Sequence, residues 1–403
     1  MSETYKPESP EQVLEAIKWA LAEEQSLDVV GHATKSEFGR PAKASNRLDL
    51  TALNGISLYE PGELVMSAAA ATPMSDIHAA LGAQSQHLVC EPANLGPLLG
   101  SGQSAGTIGG MFACNLAGPR RISAGSARDH LLGFHAVSGR GEIFKSGGRV
   151  VKNVTGFDLS KLLTGSFGTL AVMTDVSFKV MPMPEKSRTV LVMTKDSASG
   201  CAALTQALNS SCDVSAAAHL PADIAALSTV SYVNGAGGAL SALRVEGPGP
   251  SVEYRTTALR TLLADYGETE ELHSANTAAL WREIRDVDYF VSGAEQIWRL
   301  SVPPASGAQV AQSLVDSLGG RAFFDWGGGL IWLAVKARDD AAHQEIRDAV
   351  KDSGGHATLI RAASDVRAQI PVFQPQPHVL AELSARVKSS FDPKGMLCPG
   401  RMG

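Results

Sequence analysis

The chain has 403 residues, 44% of them apolar and 19% charged, with a formal net charge of −6. That is the make-up of a globular protein too long for one core, so two domains, or a domain with a large cap, are expected. No basic stripe interleaved with aromatics is present, which argues against nucleic acid as a partner, and the polar, acidic start MSETYKPESPEQ and the short apolar runs argue against a signal peptide or a membrane span.

In chain order, residues 10–24 carry Val13, Leu14, Ile17 and Leu21 at helical spacing behind Pro10. Leu27 to Val30 reads as a short strand running straight into Gly31, and 48–50 as another. Ile56 to Tyr59 and Leu64 to Ala69 flank a Pro61-Gly62 turn, and 73–81 is expected to be helical. A second hairpin is expected from 131–137 and 142–144 across Ser138-Gly139-Arg140-Gly141, then a short helix over 157–163 and a strand over 169–180. Met181-Pro182-Met183-Pro184 breaks the pattern and marks a domain boundary. Beyond it an alanine-rich stretch shows strands at 189–193 and 331–335 and helices at 199–208, 254–266 and 343–352, which is an α+β cap. A proline-rich connector (371–377), a helix over 379–391 and the tail FDPKGMLCPGRMG complete the chain.

The five cysteines form no CxxC pair and the ten histidines no HxH or HxxxH pair. No metal site built from local motifs is expected, and the thiols fit a reducing cytoplasm, with any membrane contact made through partners.

The richest signal is glycine at spacings that suit neither a helix nor a strand face. Gly31-His32-Ala33-Thr34-Lys35-Ser36 follows a strand and presents successive backbone N–H groups, the means by which a loop holds a diphosphate. Ser104 to Gly110 (SAGTIGG), followed by Asn115, lets backbone lie against a ligand at Gly106, Gly109 and Gly110, with Thr107 as a hydroxyl donor. The plain alternatives are a surface turn and a glycine-rich connection between helices. Two rival motifs overlap here. Gly100, Gly102 and Gly106 imitate a Rossmann turn and Gly102 to Gly106 matches GxSxG, yet both need a preceding buried strand, and NLGPLL is a poor one. Arg120-Arg121 suit an anionic substrate or a reduced cofactor as well as plain solvation. Lys152 and Asn153 lie on an alternating segment where one side chain faces a ligand. His32 is expected to be a solvent-facing turn residue. Trp281, Trp298 and Trp326 are expected in the core of the cap.

GHATKSEFG, TIGGMFACNLAGPRR, GSARDHLLGF, GGRVVKNVTGFDLSKLLTGSFGTL, IWRLSVPP, GGGLIWL and FDPKGMLCPGRM, in this order, resemble the FAD-binding family typified by vanillyl-alcohol oxidase, and within it most the FAD-binding subunits of bacterial glycolate oxidase. The resemblance implies an α+β fold: a PCMH-type FAD-binding domain of two α+β subdomains (1–183), a ferredoxin-like α+β cap (184–370) and a C-terminal segment returning to the FAD domain (371–403). It places the diphosphate on Gly31, His32, Ala33, Thr34, Lys35 and Ser36. Pro92, Gly106, Thr107, Gly109, Gly110 and Asn115 line the adenosine half and the diphosphate, and the flavin ring meets the backbone around Val172. Thr34 stands where covalent relatives attach flavin to histidine, so non-covalent FAD is implied. His32 and Ala33 replace glycines of the family loop, and Cys398 replaces a tail asparagine.

The activity implied is glycolate oxidation to glyoxylate by an FAD-binding oxidoreductase subunit. Its implied partners are a second FAD-binding 2-hydroxyacid dehydrogenase-like subunit and an iron–sulfur subunit. A self-sufficient D-lactate-like dehydrogenase and a non-catalytic assembly subunit are the alternatives. No residue is singled out as catalytic and none as a metal ligand.

Overall fold

The computed structural model describes residues 3–150 and 156–403, and the chain divides into two units. Unit 1 comprises 1–117, 125–183 and 375–403; unit 2 comprises 118–124 and 184–374.

Unit 1 starts with the helix Pro10–Ala22, capped by Ser9, whose hydroxyl accepts from the Gln12 N–H, with proline at the first turn. Its buried Val13 and Ile17 share a core with Leu27, Leu48 and Val172. Leu27–Val30 is an edge strand of a three-stranded parallel sheet in which Asn46–Asp49 is central and Thr4–Tyr5 lies on the other side. A five-stranded antiparallel sheet runs in the order Ile56–Glu60, Val65–Ala69, Ala171–Lys179, Leu131–Ser138, Ile143–Gly147. Met181–Pro182, read from the sequence only as a break, forms a two-residue antiparallel pair with Gln86–His87. Residues 94–106 contain no strand, so the Rossmann-like and GxSxG matches have no strand to stand on.

The C-terminal segment closes unit 1. The helix His378–Phe391 ends at Asp392, which is buried and accepts from Lys388 Nζ (2.5 Å), Met396 N–H (3.1 Å) and Leu397 N–H (2.8 Å). That one carboxylate folds the tail back, so that Leu27 N–H donates to the Met396 carbonyl and Cys398 N–H to the Leu27 carbonyl. The tail thereby covers the free edge of the parallel sheet.

Unit 2 is built on an eight-stranded antiparallel sheet: Thr269–His273, Lys186–Thr194, Ala239–Gly247, Val214–Leu220, Arg321–Asp325, Leu330–Val335, Gln296–Ser301, His356–Arg361. Only two of these strands were legible in the sequence. VSAAAHL and ALSALRV are rich in alanine, a poor strand former, and are held in the sheet by burial on both faces. The helix expected over 254–266 begins earlier, at Gly249, and ends at Leu262. Trp281 and Trp298 are buried, with indole N–H groups donating to Thr189 Oγ1 (2.8 Å) and the Ala341 carbonyl (3.1 Å).

Of the arginine pair, Arg120 is a structural tie. Its Nε donates to Glu246 at 2.8 Å, and Arg244 lies on the same carboxylate at 3.3 Å. Burial alone would raise Glu246; Arg244 and Arg120 outweigh it and hold its carboxyl at about 2.

Asp392→Ala removes the acceptor of two buried N–H groups and of an ammonium. We expect it to cost about 3 kcal/mol, read as a lower denaturant midpoint, and to expose the tail to limited proteolysis. Glu246, with its carboxyl lowered on folding, contributes stability above about pH 4.5 that disappears as pH falls toward 2. Glu246→Gln is therefore expected to flatten the acid limb of a pH–stability profile.

Candidate functional site

The loop after the Leu27–Val30 strand opens onto a solvent-open cleft within unit 1 whose space, open solvent included, is ≈790 Å³. Gly31 to Ser36 line one side; Thr107, Gly109, Gly110 and Cys114 line another; Val172 with its neighbours Ala171 and Met173 lies on its wall. The two glycine-containing stretches, some seventy residues apart in sequence, meet there because their backbones touch. A Cβ on Gly31 would lie 2.8 Å from Thr107 Oγ1, and one on Gly106 would run into the Thr34 hydroxyl and Lys35 Nζ. Thr107 has no freedom to yield, since it caps the helix Ile108–Ala113 by accepting from Gly110 N–H (3.2 Å).

The donors of the two stretches differ. Gly109 N–H is spent on the Ala70 carbonyl (2.8 Å) and Gly110 N–H on Thr107, so this stretch offers close approach rather than free amides. In contrast, none of the main-chain N–H groups of Gly31 to Lys35 is hydrogen-bonded among the described residues. Ala33 has left-handed φ (55°), the alternation from which anion-binding nests are made. The Ser36 hydroxyl is buried with no partner among the described residues. Lys35 Nζ donates to the Ala105 carbonyl at 3.0 Å and reaches the Thr34 hydroxyl at 3.3 Å. Burial lowers its pKa below the ordinary lysine range, weakly opposed by Cys114, while the Cys114 thiol is pushed up by burial against the pull of Lys35. A cation short of solvation beside a run of unused amides and an orphaned hydroxyl is built to receive an anion.

His32 is exposed and Thr34 buried. Asn115 is a brace: it has left-handed φ (48°), and its Oδ1 accepts from Arg128 N–H (3.1 Å). Pro92 and Asn115 are not among the cleft's lining residues, and Gly106 lies behind the loop. Lys152 and Asn153 lie outside the described residues. Cys398 is turned toward the sheet: Val29 N–H donates to its Sγ (3.4 Å), and burial pushes its thiol to about 11.

The sequence resemblance implies that the FDP…PGR tail closes the flavin pocket, but it gives no role to Arg401 itself or to the 165–168 turn. Arg401 Nη1 donates to the Ser36 carbonyl (2.8 Å) and the Arg40 carbonyl (3.3 Å), and its own carbonyl accepts from Arg40 N–H (3.0 Å). Phe167 packs edge-on against Phe38 at 5.0 Å and, with Gly168, lines the cleft. The signal was the PGR and GSFG glycine turns themselves, which lie far from residue 31 in sequence.

Residues 3–147 match the model of the FAD binding domain family (FAD_binding_4). The chain is 33% identical to glycolate oxidase subunit GlcE of Escherichia coli (strain K12) over 97% of its own length and 96% of that protein's. The chain belongs to the FAD-binding family that contains the glycolate oxidase subunits. A shorter likeness, 38% over 23% of this chain and 20% of the other, links it to glycolate oxidase subunit GlcD of Bacillus subtilis (strain 168). The structure of p-cresol methylhydroxylase with substrate bound has the same fold, with a TM-score of 0.71 over 99% of this chain and 88% of that one at 15% identity. As in that family, this chain is an FAD-binding oxidoreductase of PCMH-type α+β fold, and the residues of the cleft fit the cofactor. Among the described residues no helix is long and apolar enough to cross a membrane, and no group of three or more His, Cys, Asp or Glu could hold a metal ion.

Gly31→Ala is expected to lower FAD retention by about tenfold or more, since the loop must shift to relieve the contact with Thr107; the ratio of flavin to protein absorbance measures it. A bound diphosphate stabilises the charged form of Lys35. FAD affinity should therefore fall as pH rises through the depressed lysine pKa, and Lys35→Met should bind more weakly with that alkaline limb removed.

Proposed function

We propose that this chain is the FAD-binding subunit of a glycolate-oxidising complex, converting glycolate to glyoxylate with electrons leaving through its flavin. The observation that carries it is the end-to-end likeness to the E. coli subunit, over 97% of this chain. FAD, when bound, supplies the two-electron acceptor.

The protein's own contribution is binding and field. The free amides of Gly31 to Lys35 and the Ser36 hydroxyl hold the diphosphate, and Lys35 offsets its charge. Arg401 locks the loop from behind, and the Ala171 to Met173 wall is assigned to the flavin ring. Thr34 gives no side chain for covalent attachment, so the FAD is non-covalent. The likeness to GlcD supports a multi-subunit assembly with a second FAD-binding, 2-hydroxyacid dehydrogenase-like chain. An iron–sulfur subunit completes the electron path, since this chain's five cysteines are scattered singly, and any membrane contact is made through these partners. The domain division follows from this role: an FAD domain over 1–183, a cap over 184–370 and a closing segment over 371–403.

The purified full chain should show flavin absorption in the near-ultraviolet and blue that acid releases completely. Expressed with its flavoprotein and iron–sulfur partners, it should support glycolate-dependent dye reduction that is lost when this chain is omitted. A colourless chain, or activity indifferent to it, is the result that sinks the assignment.

A further inference from the structure

The second half of the sheet in unit 2 carries charge that no ion pair among the described residues balances. Register places Arg299 opposite Trp332 on one neighbour and Thr358 on the other, with Ser301 opposite His356. Side chains alternate along a strand, so Arg299, Trp332, Thr358 and His356 share one face. The other face, with Trp298, Leu300, Leu333 and Leu359, belongs to the apolar core beneath the helices Pro304–Leu318 and His343–Lys351.

Other arginines on this sheet have acceptors. Arg244 and Arg120 share Glu246, Arg188 lies on Glu271, Arg321 on Glu295, and Arg361 on the Glu295 and Phe290 carbonyls. Arg299 is half-buried, yet its guanidinium has no hydrogen bond or ion pair among the described residues, and neither has that of Arg121. Both lie against one indole: Arg121 is 4.4 Å and Arg299 6.0 Å from the Trp326 ring centroid. Loss of water, and then the charge of Arg121, pulls the Arg299 pKa down to about 10. His356 is lowered by burial and then by both arginines. Among the described residues no acid is hydrogen-bonded or ion-paired to any of these three bases; Asp325, on the same face, is turned to the Trp326 N–H.

The indole that organises them is held under strain. Trp326 has φ of 52°, a conformation that a bulky side chain avoids. It is pinned by its N–H donating to Asp325 Oδ1 (2.7 Å) and its indole N–H donating to the Gly118 carbonyl (3.1 Å). Arg121 is delivered by its neighbours, because Arg120 is tied to Glu246 and Ser123 Oγ donates to the Ser215 carbonyl (3.0 Å). Strain kept in place around two unpaired cations is the mark of a site built for a ligand.

We propose that Arg299 and Arg121, on the Trp326 platform with His356 beside them, form the site in unit 2 that binds the carboxylate of a small 2-hydroxy acid. The anion supplies the missing counter-charge, and the half-buried guanidinium of Arg299 gains an acceptor it otherwise lacks. Arg299 and Arg121 are thus the residues that would hold the anion. The choice of a 2-hydroxy acid over another small anion rests on the proposed glycolate reading; the cationic site itself does not.

Calorimetric titration of the full chain tests this with three probes: glycolate, its uncharged amide glycolamide, and sulfate. Glycolate should bind, with glycolamide and sulfate at least about tenfold weaker. Arg299→Gln and Arg121→Gln should each weaken glycolate by about tenfold or more, with far-UV circular dichroism and flavin content unchanged. Arg121 is exposed, so its variant keeps the test informative if the Arg299 variant does not fold. No glycolate binding by the unaltered chain, unchanged glycolate affinity in Arg121→Gln, or equal binding of glycolamide or sulfate overturns the carboxylate site. Such a result leaves the flavin role standing, because flavin absorbance reports that separately; a colourless chain that still binds glycolate through these arginines separates the two the other way.

Discussion

Five consecutive backbone N–H groups with no acceptor among the described residues, Gly31 to Lys35, are the constraint around which unit 1 is arranged. Unused amides in a partly buried loop are unfavourable unless something anionic completes them. The surrounding contacts keep the loop from collapsing onto itself. Thr107 fills the space a side chain at 31 would need, Phe38 is wedged against Phe167, and Arg401 holds the Ser36 and Arg40 carbonyls from outside. The order in that loop is therefore borrowed from residues 70 to 370 positions away. Asp392 is the first link of the longest of these connections, since it folds the tail that carries Arg401.

Unit 2 handles its charges in two ways. Around Glu246 it neutralises them: Arg120 and Arg244 share one carboxylate, and Ser215 Oγ donates to the same group at 2.7 Å. A buried pair of this kind holds geometry more than it adds net stability, and here it fixes the 118–124 segment onto the sheet. Around Trp326 it leaves them open, with two guanidinium groups on one ring and no ion pair to either among the described residues. A closed network beside an open one is consistent with scaffolding in the first case and recognition in the second.

Much of unit 1 was legible because its elements are short and locally punctuated. Pro10 behind Ser9 starts a helix, Pro61-Gly62 turns a hairpin, and Leu27 to Val30 stops at a glycine; each follows from neighbours within a few residues. Unit 2 was far less legible. Most of its strands, such as VSAAAHL, take their conformation from burial in an eight-stranded sheet rather than from propensity, and the strand at 356–361 is paired with one nearly sixty residues earlier. Arg120 and Arg121 illustrate the limit best. They are adjacent and chemically alike, yet one is spent on Glu246 and the other, with no ion pair among the described residues, lies over an indole at 326.

By itself the sequence determined which residue types stand at the loop, where the chain turns, and, through the ordered succession of glycine-rich segments, membership of an FAD-binding family. Those properties are local or cumulative along the chain. Only the tertiary structure decided which amides remain free, since that depends on whether a carbonyl such as that of Ala70 is near enough to accept from Gly109 and absent beside Gly31 to Lys35. It likewise decided which cations are left without a counter-charge. Hydrogen bonds and ion pairs act over a few ångströms, and the groups that complete or leave open each of these contacts come together only when the chain has folded.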